Sequence, residues 1–155
     1  MLKSIEAIAA SLANYAREAI GRGTAGIFLS LGAATGEVMS VEEYRVWCRP
    51  FDLMVLEAVS EAPFNVLHIH GKDIHFDSLV DYPVSVINWS HHATQPSLSE
   101  GSLRSGKTVM GGIDEARVKR LSPPEIRGQF ANALKEVGTR GLIIAPGCSL
   151  PYRHA

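Results

Sequence analysis

Cysteine is scarce in this chain: there are only two, Cys48 and Cys148, among 155 residues. Two cysteines make no disulfide framework, so the reducing cytoplasm is the expected compartment. Long apolar runs are missing as well. No stretch approaches the length of a membrane span, and the start Met1-Leu2-Lys3-Ser4-Ile5-Glu6 lacks the apolar centre of a signal peptide. An excess of one charge is also absent. The formal net charge is −1 and no run of lysines or arginines stands out, which excludes a surface that tracks nucleic-acid phosphates. With 46% hydrophobic and 20% charged residues, disorder is excluded too. A chain of this length is expected to fold as one domain over residues 1–155.

What is present is an alternation of helices and strands. Leu2, Ile5, Ile8, Ala9, Leu12, Tyr15, Ala16, Ala19 and Ile20 recur at helical spacing, ending at the glycines of Gly21-Arg22-Gly23. Residues 25–30 read as a buried strand. Ser40 and Glu43 form a capping box that opens a helix towards Val59, with Pro50 expected to kink or divide it. Further strands are expected at 65–70, 84–89, 108–112 and 141–145. Between them lie a short helix around Phe76-Leu79-Val80, a polar and irregular helical stretch at 90–105, and a helix opened by Ser122-Pro123-Pro124-Glu125 that runs to Val137-Gly138. Strands written as continuous apolar runs and separated by helices point to an α/β fold with a covered parallel sheet. About five strands are present, whereas a closed (β/α)8 barrel needs eight in typically ~250 residues. The chain ends at Tyr152-Arg153-His154-Ala155 before any helix follows the last strand, and so reads as cut at both ends.

Two motifs carry chemistry. His68-Ile69-His70 closes one strand, and a strand places residues two apart on one face. Gly71 follows, as expected where a strand turns through unusual backbone angles. The last strand ends in Pro146-Gly147-Cys148. Two imidazoles and a thiol at strand ends make a candidate zinc set: His68, His70 and Cys148.

The order of five short segments resembles the C-terminal half of the uroporphyrinogen decarboxylase superfamily. They are Ile27-Phe28-Leu29-Ser30, Leu67-His68-Ile69-His70-Gly71, Ile87-Asn88-Trp89, Gly111-Gly112-Ile113-Asp114 and Pro146-Gly147-Cys148-Ser149-Leu150-Pro151. The resemblance implies part of a (β/α)8 TIM barrel with its site at the C-terminal mouth. It also implies one of two enzymatic chemistries, although the N-terminal half of the barrel is not in this sequence. One branch decarboxylates a tetrapyrrole for porphyrin biosynthesis without metal. Its serine after the first of these strands matches Ser30, but Cys148 stands where that branch has a histidine, which argues against it. The other branch is similar to cobalamin-linked methyltransferases with zinc ligands in the pattern His-x-Cys and a later Cys. His68 and Cys148 match that pattern, and His70 replaces the first cysteine with another competent zinc ligand.

The methyltransferase reading implies zinc as cofactor, a corrinoid or corrinoid protein as methyl donor, and a small-molecule thiol as acceptor. A third reading is a truncated, non-catalytic domain that self-associates as a homo-oligomer through two open sheet edges. The geometry sets a condition. His70 and Cys148 lie three strand steps apart, roughly 14 Å in a flat sheet at ~4.8 Å per step. The metal site is therefore expected to need barrel curvature supplied by the missing half or by another subunit.

The remaining candidates have two readings each. Ser30 either terminates its strand or joins the site, and Asp114 either caps the next turn or binds substrate. Both are carried forward as catalytic candidates. The pair His91-His92 is expected to face solvent, Trp89 to belong to the core, and Cys48 to pack on a helix. Gly111 and Gly112 permit close approach of another group.

Overall fold

The computed structural model describes residues 2–150. Five parallel strands lie in one sheet in chain order: β1 (Phe28–Leu31), β2 (Val66–Ile69), β3 (Val86–Trp89), β4 (Thr108–Ile113) and β5 (Leu142–Pro146). All five fall where apolar runs place them. The sequential all-parallel order, with helices between strands, is that of a partial (β/α) barrel.

The register lines up the chemistry. Ser30 lies opposite His68, His68 opposite Asn88, and Asn88 opposite Met110. Period two sends these side chains to one face and their neighbours to the other. On that second face Leu67, Ile69, Ile87, Trp89 and Val109 are fully buried under the helical layer. Each contributes roughly 1.5–3 kcal/mol by leaving water. The Trp89 indole packs edge-on against Phe76 and donates to the Pro96 carbonyl at 2.9 Å, which makes it a core residue.

Among the described residues five α-helices complete the layer: α1 (Leu2–Gly21), α2 (Val41–Trp47), α3 (Arg49–Glu57), α4 (Leu98–Ser105) and α5 (Pro123–Val137). Ser40, Ser97 and Ser122 precede α2, α4 and α5, and in each case the glutamate three residues on accepts from the serine backbone N–H. The expected helix from Ser40 towards Val59 is divided. The break falls at Cys48, and Pro50 enters the first turn of α3, where its missing N–H deprives no carbonyl of a partner. Cys48 thus sits at a junction between two helices, half-buried against the core, and burial raises its thiol pKa.

Three local expectations change. The helix expected around Phe76 is one 3-10 turn, Phe76–Ser78. Residues 90–96 form turns, and only Leu98–Ser105 is helical. In α1 the buried stripe is Ala9, Ala13 and Ala16, while Ile8, Leu12 and Tyr15 are exposed. Small residues let α1 approach α3 closely, and the large apolar ones on the next stripe are left outside. No helix among the described residues is long and apolar enough to cross a membrane. The end at residues 152–155, read as a cut before any covering helix, lies outside the described residues.

Candidate metal centre

β2 delivers two imidazoles to the C-terminal end of the sheet. His68 is the third residue of the strand and His70 lies just beyond it, so both lean to the same side, their ring centroids 6.0 Å apart. Gly71 then takes a φ of 105°, the left-handed turn that ends the strand. His68 is buried and His70 exposed.

Cys148 reaches the same point from β5. Its Sγ lies 3.2 Å from His70 Nδ1 and 3.5 Å from His68 Nε2. The three ligand atoms all fall within 4.8 Å of one another. A cation held tetrahedrally at ~2.0–2.1 Å from nitrogen and ~2.3 Å from sulfur needs a nitrogen–sulfur separation of roughly 3.5 Å. The donor set fits such an ion.

The expectation that this convergence needs another half-barrel or subunit is therefore corrected: one chain brings the three atoms together. The reason lies in Gly147. A β-carbon there would sit 2.7 Å from Ser90 Cα and 2.8 Å from the Trp89 carbonyl oxygen. The loop after β5 thus crosses directly over the end of β3, held by the Gly147 N–H on the Ile113 carbonyl at 3.3 Å. That crossing, added to the curvature of the sheet, removes the strand steps that a flat sheet would interpose.

Asn88 completes the arrangement. Its Nδ2 donates to the carbonyls of Met110 (2.8 Å) and Pro146 (3.2 Å), which leaves Oδ1 facing His68 Nδ1 at 2.7 Å. Oδ1 can only accept, so Nδ1 carries the ring proton and Nε2 presents its lone pair towards Cys148. Burial lowers the His68 pKa, keeping the ring in the neutral form that binds metals. Sequence reading quoted Asn88 without giving it a role. The available signal was a polar residue inside the apolar run 84–89, in register with a histidine.

Two cavities meet at the triad, and His70 and Cys148 line both. One, of about 430 Å³, is walled by Phe28, Met110, Ala145 and Pro146 and includes Ser30 at its rim. The other, of about 320 Å³, is bounded by Glu37, Lys72, Ser90 and Glu115. Ser30 therefore borders the site on an exposed part of β1. Asp114 lies apart from both cavities: it accepts from the Arg117 N–H at 3.1 Å, and its own N–H bonds Gln129 Oε1 at 3.0 Å. Its neighbour Glu115 faces the site instead, and sequence reading missed it. His92 is exposed, but His91 is partly buried behind β4, where burial lowers its pKa to about 4.

The fold and cluster together define a class: an α/β partial barrel with a His-His-Cys cluster that could hold a metal ion. No family model matches the chain, and no curated protein matches it by sequence. Among solved structures it is similar to a methyltransferase from Methanosarcina mazei, with a TM-score of 0.77 and 18% sequence identity. The match covers 92% of this chain and 41% of that one, so the chain spans less than half of that methyltransferase. At this identity the likeness establishes the fold.

Proposed function

We propose that this chain carries the metal-binding part of a methyltransferase that delivers a methyl group from a corrinoid to a thiol. The observation that carries the reading is the meeting of His68 Nε2, His70 Nδ1 and Cys148 Sγ within 4.8 Å, with Asn88 holding the His68 tautomer. Methyltransferase-like architecture adds to it.

His68, His70 and Cys148 would hold the metal, and zinc suits two imidazoles and a thiolate. Bound zinc would supply the Lewis acidity that keeps a substrate thiol as its thiolate, the nucleophilic form, at neutral pH. The protein's own contribution is placement. Asn88 fixes the His68 ring, and Gly147 lets the Cys148 loop close over β3. Three protein ligands would leave one position for the acceptor sulfur. Phe28, Met110, Ala145 and Pro146 give an apolar wall that limits competing water. The methyl chemistry itself belongs to the corrinoid, and the protein orients the partners.

Metal analysis of protein purified without chelator tests the reading. About one zinc per chain is expected, with loss of binding in His68→Ala and Cys148→Ala and methylation of a thiol when methylcobalamin is supplied. Metal-free protein that instead binds a porphyrinogen would overturn it.

A further inference from the structure

The smaller of the two cavities at the triad holds a carboxylate that the metal site does not use. Glu115 is only 8% exposed. One of its oxygens, Oε1, accepts from the Ser90 hydroxyl, while Oε2 is buried with no hydrogen-bond partner among the described residues. Oε2 lies beneath Gly147, where an added β-carbon would meet it at 3.0 Å, one residue from Cys148. Leaving a buried charged oxygen without a donor is costly, so the pocket is built for something that donates to it.

The charges around it say what. Glu37 and Glu115 line this cavity against a single cation, Lys72, and Glu37 Oε2 already accepts from the Lys72 backbone N–H at 2.8 Å. Among the described residues no arginine lines either cavity at the triad. An acceptor bearing a carboxylate or sulfonate would set a second negative charge against Glu115 with no fixed cation fork to hold it. A neutral thiol would at best bring a hydroxyl donor without the opposite charge. An ammonium group supplies both the opposite charge and the missing N–H.

We infer that the acceptor is an aminothiol, whose ammonium pairs with the Glu115 carboxylate while its sulfur takes the open position at the His68–His70–Cys148 triad. This rests on the methyltransferase reading and adds the substrate class to it.

Cobalt(II) loaded in place of zinc reports thiolate binding through its sulfur-to-metal absorption. The probes are cysteamine, 2-mercaptoethanol and 3-mercaptopropionate, titrated into wild type and Glu115→Gln. Glutamine keeps the shape and an acceptor for Ser90 but removes the charge. The advantage of cysteamine over 2-mercaptoethanol should fall about tenfold in the variant, the weight of one charge-assisted bond. Comparing ratios cancels the greater intrinsic acidity of the cysteamine thiol. An unchanged ratio overturns the subsite. Where Glu115→Gln does not fold, wild type decides, since 3-mercaptopropionate binding as tightly as cysteamine also overturns it. The absorption from Cys148 before any thiol is added separates the two claims. Its absence sinks the metal reading and the subsite with it, whereas its presence with no preference for the amine sinks the subsite alone.

Discussion

Asn88 makes three hydrogen bonds with one amide, two to backbone carbonyls and one to His68, while being 2% exposed. Groups that orient a metal-bound histidine in this way typically account for ten- to a hundredfold in metal affinity. Asn88→Leu, branched at the same γ position though larger, removes the acceptor that fixes the His68 proton on Nδ1. Zinc affinity measured by chelator competition should fall by roughly ten- to a hundredfold. Affinity equal to wild type would mean that His68 finds its tautomer without help. At this scale the sequence exposed the ligands but not their support. His68 and His70 declared themselves by a spacing of two on a strand. Asn88 acts through partners 22 and 58 residues away, which only sheet register brings near.

Helix packing makes opposite demands on two glycines. Gly101 in α4 faces the Trp89 ring, where a β-carbon would lie 2.3 Å from Cη2, and Gly128 in α5 has nothing within 4 Å. Alanine improves helix propensity by ~0.8–1.0 kcal/mol at either position. At Gly128 nothing opposes that gain, so Gly128→Ala should stabilise by about 0.5–1 kcal/mol. At Gly101 the buried indole must shift, an overpacking cost of typically 1–3 kcal/mol, and Gly101→Ala should destabilise on balance. Urea unfolding of both variants checks the signs, and stabilisation by Gly101→Ala would contradict the packing of α4 on Trp89. Local signals were readable at this level. Pro50 and the caps Ser40–Glu43 and Ser122–Glu125 announced helix starts because they act within a few residues. The buried face of α1 was not readable. Whether the helix turns its alanines or its larger side chains inward depends on how near α3 lies.

For the whole molecule, two histidines tie stability to pH. Burial places the His91 pKa at about 4, against an ordinary value of 6.5, and lowers that of His68 as well. The unfolded chain therefore takes up protons below pH 6.5 that the folded His91 refuses until about pH 4. Its contribution is fully present above 6.5 and is lost as pH falls from 6.5 to about 4. Solvent reaching the partly exposed ring screens this contribution, so the loss is smaller than the full pKa difference would give. Denaturant melts at pH 7.5, 5.5 and 4.5 should show this decline, with a shallower slope in His91→Gln and the His68 part retained. Equal slopes in the two proteins would show that His91 titrates normally.

The sequence by itself determined the parallel α/β alternation, the five strands, the helix caps at Ser40 and Ser122 and the identity of the three candidate ligands. These follow from periodicity and from residue types that act on near neighbours. Only the tertiary structure decided that one chain suffices to bring the ligands together, that Asn88 sets the His68 tautomer, and that Glu115 rather than Asp114 faces the site. Each of those outcomes depends on distances between segments far apart in the chain, which are set by sheet curvature, by register and by the crossing of one glycine over the end of β3.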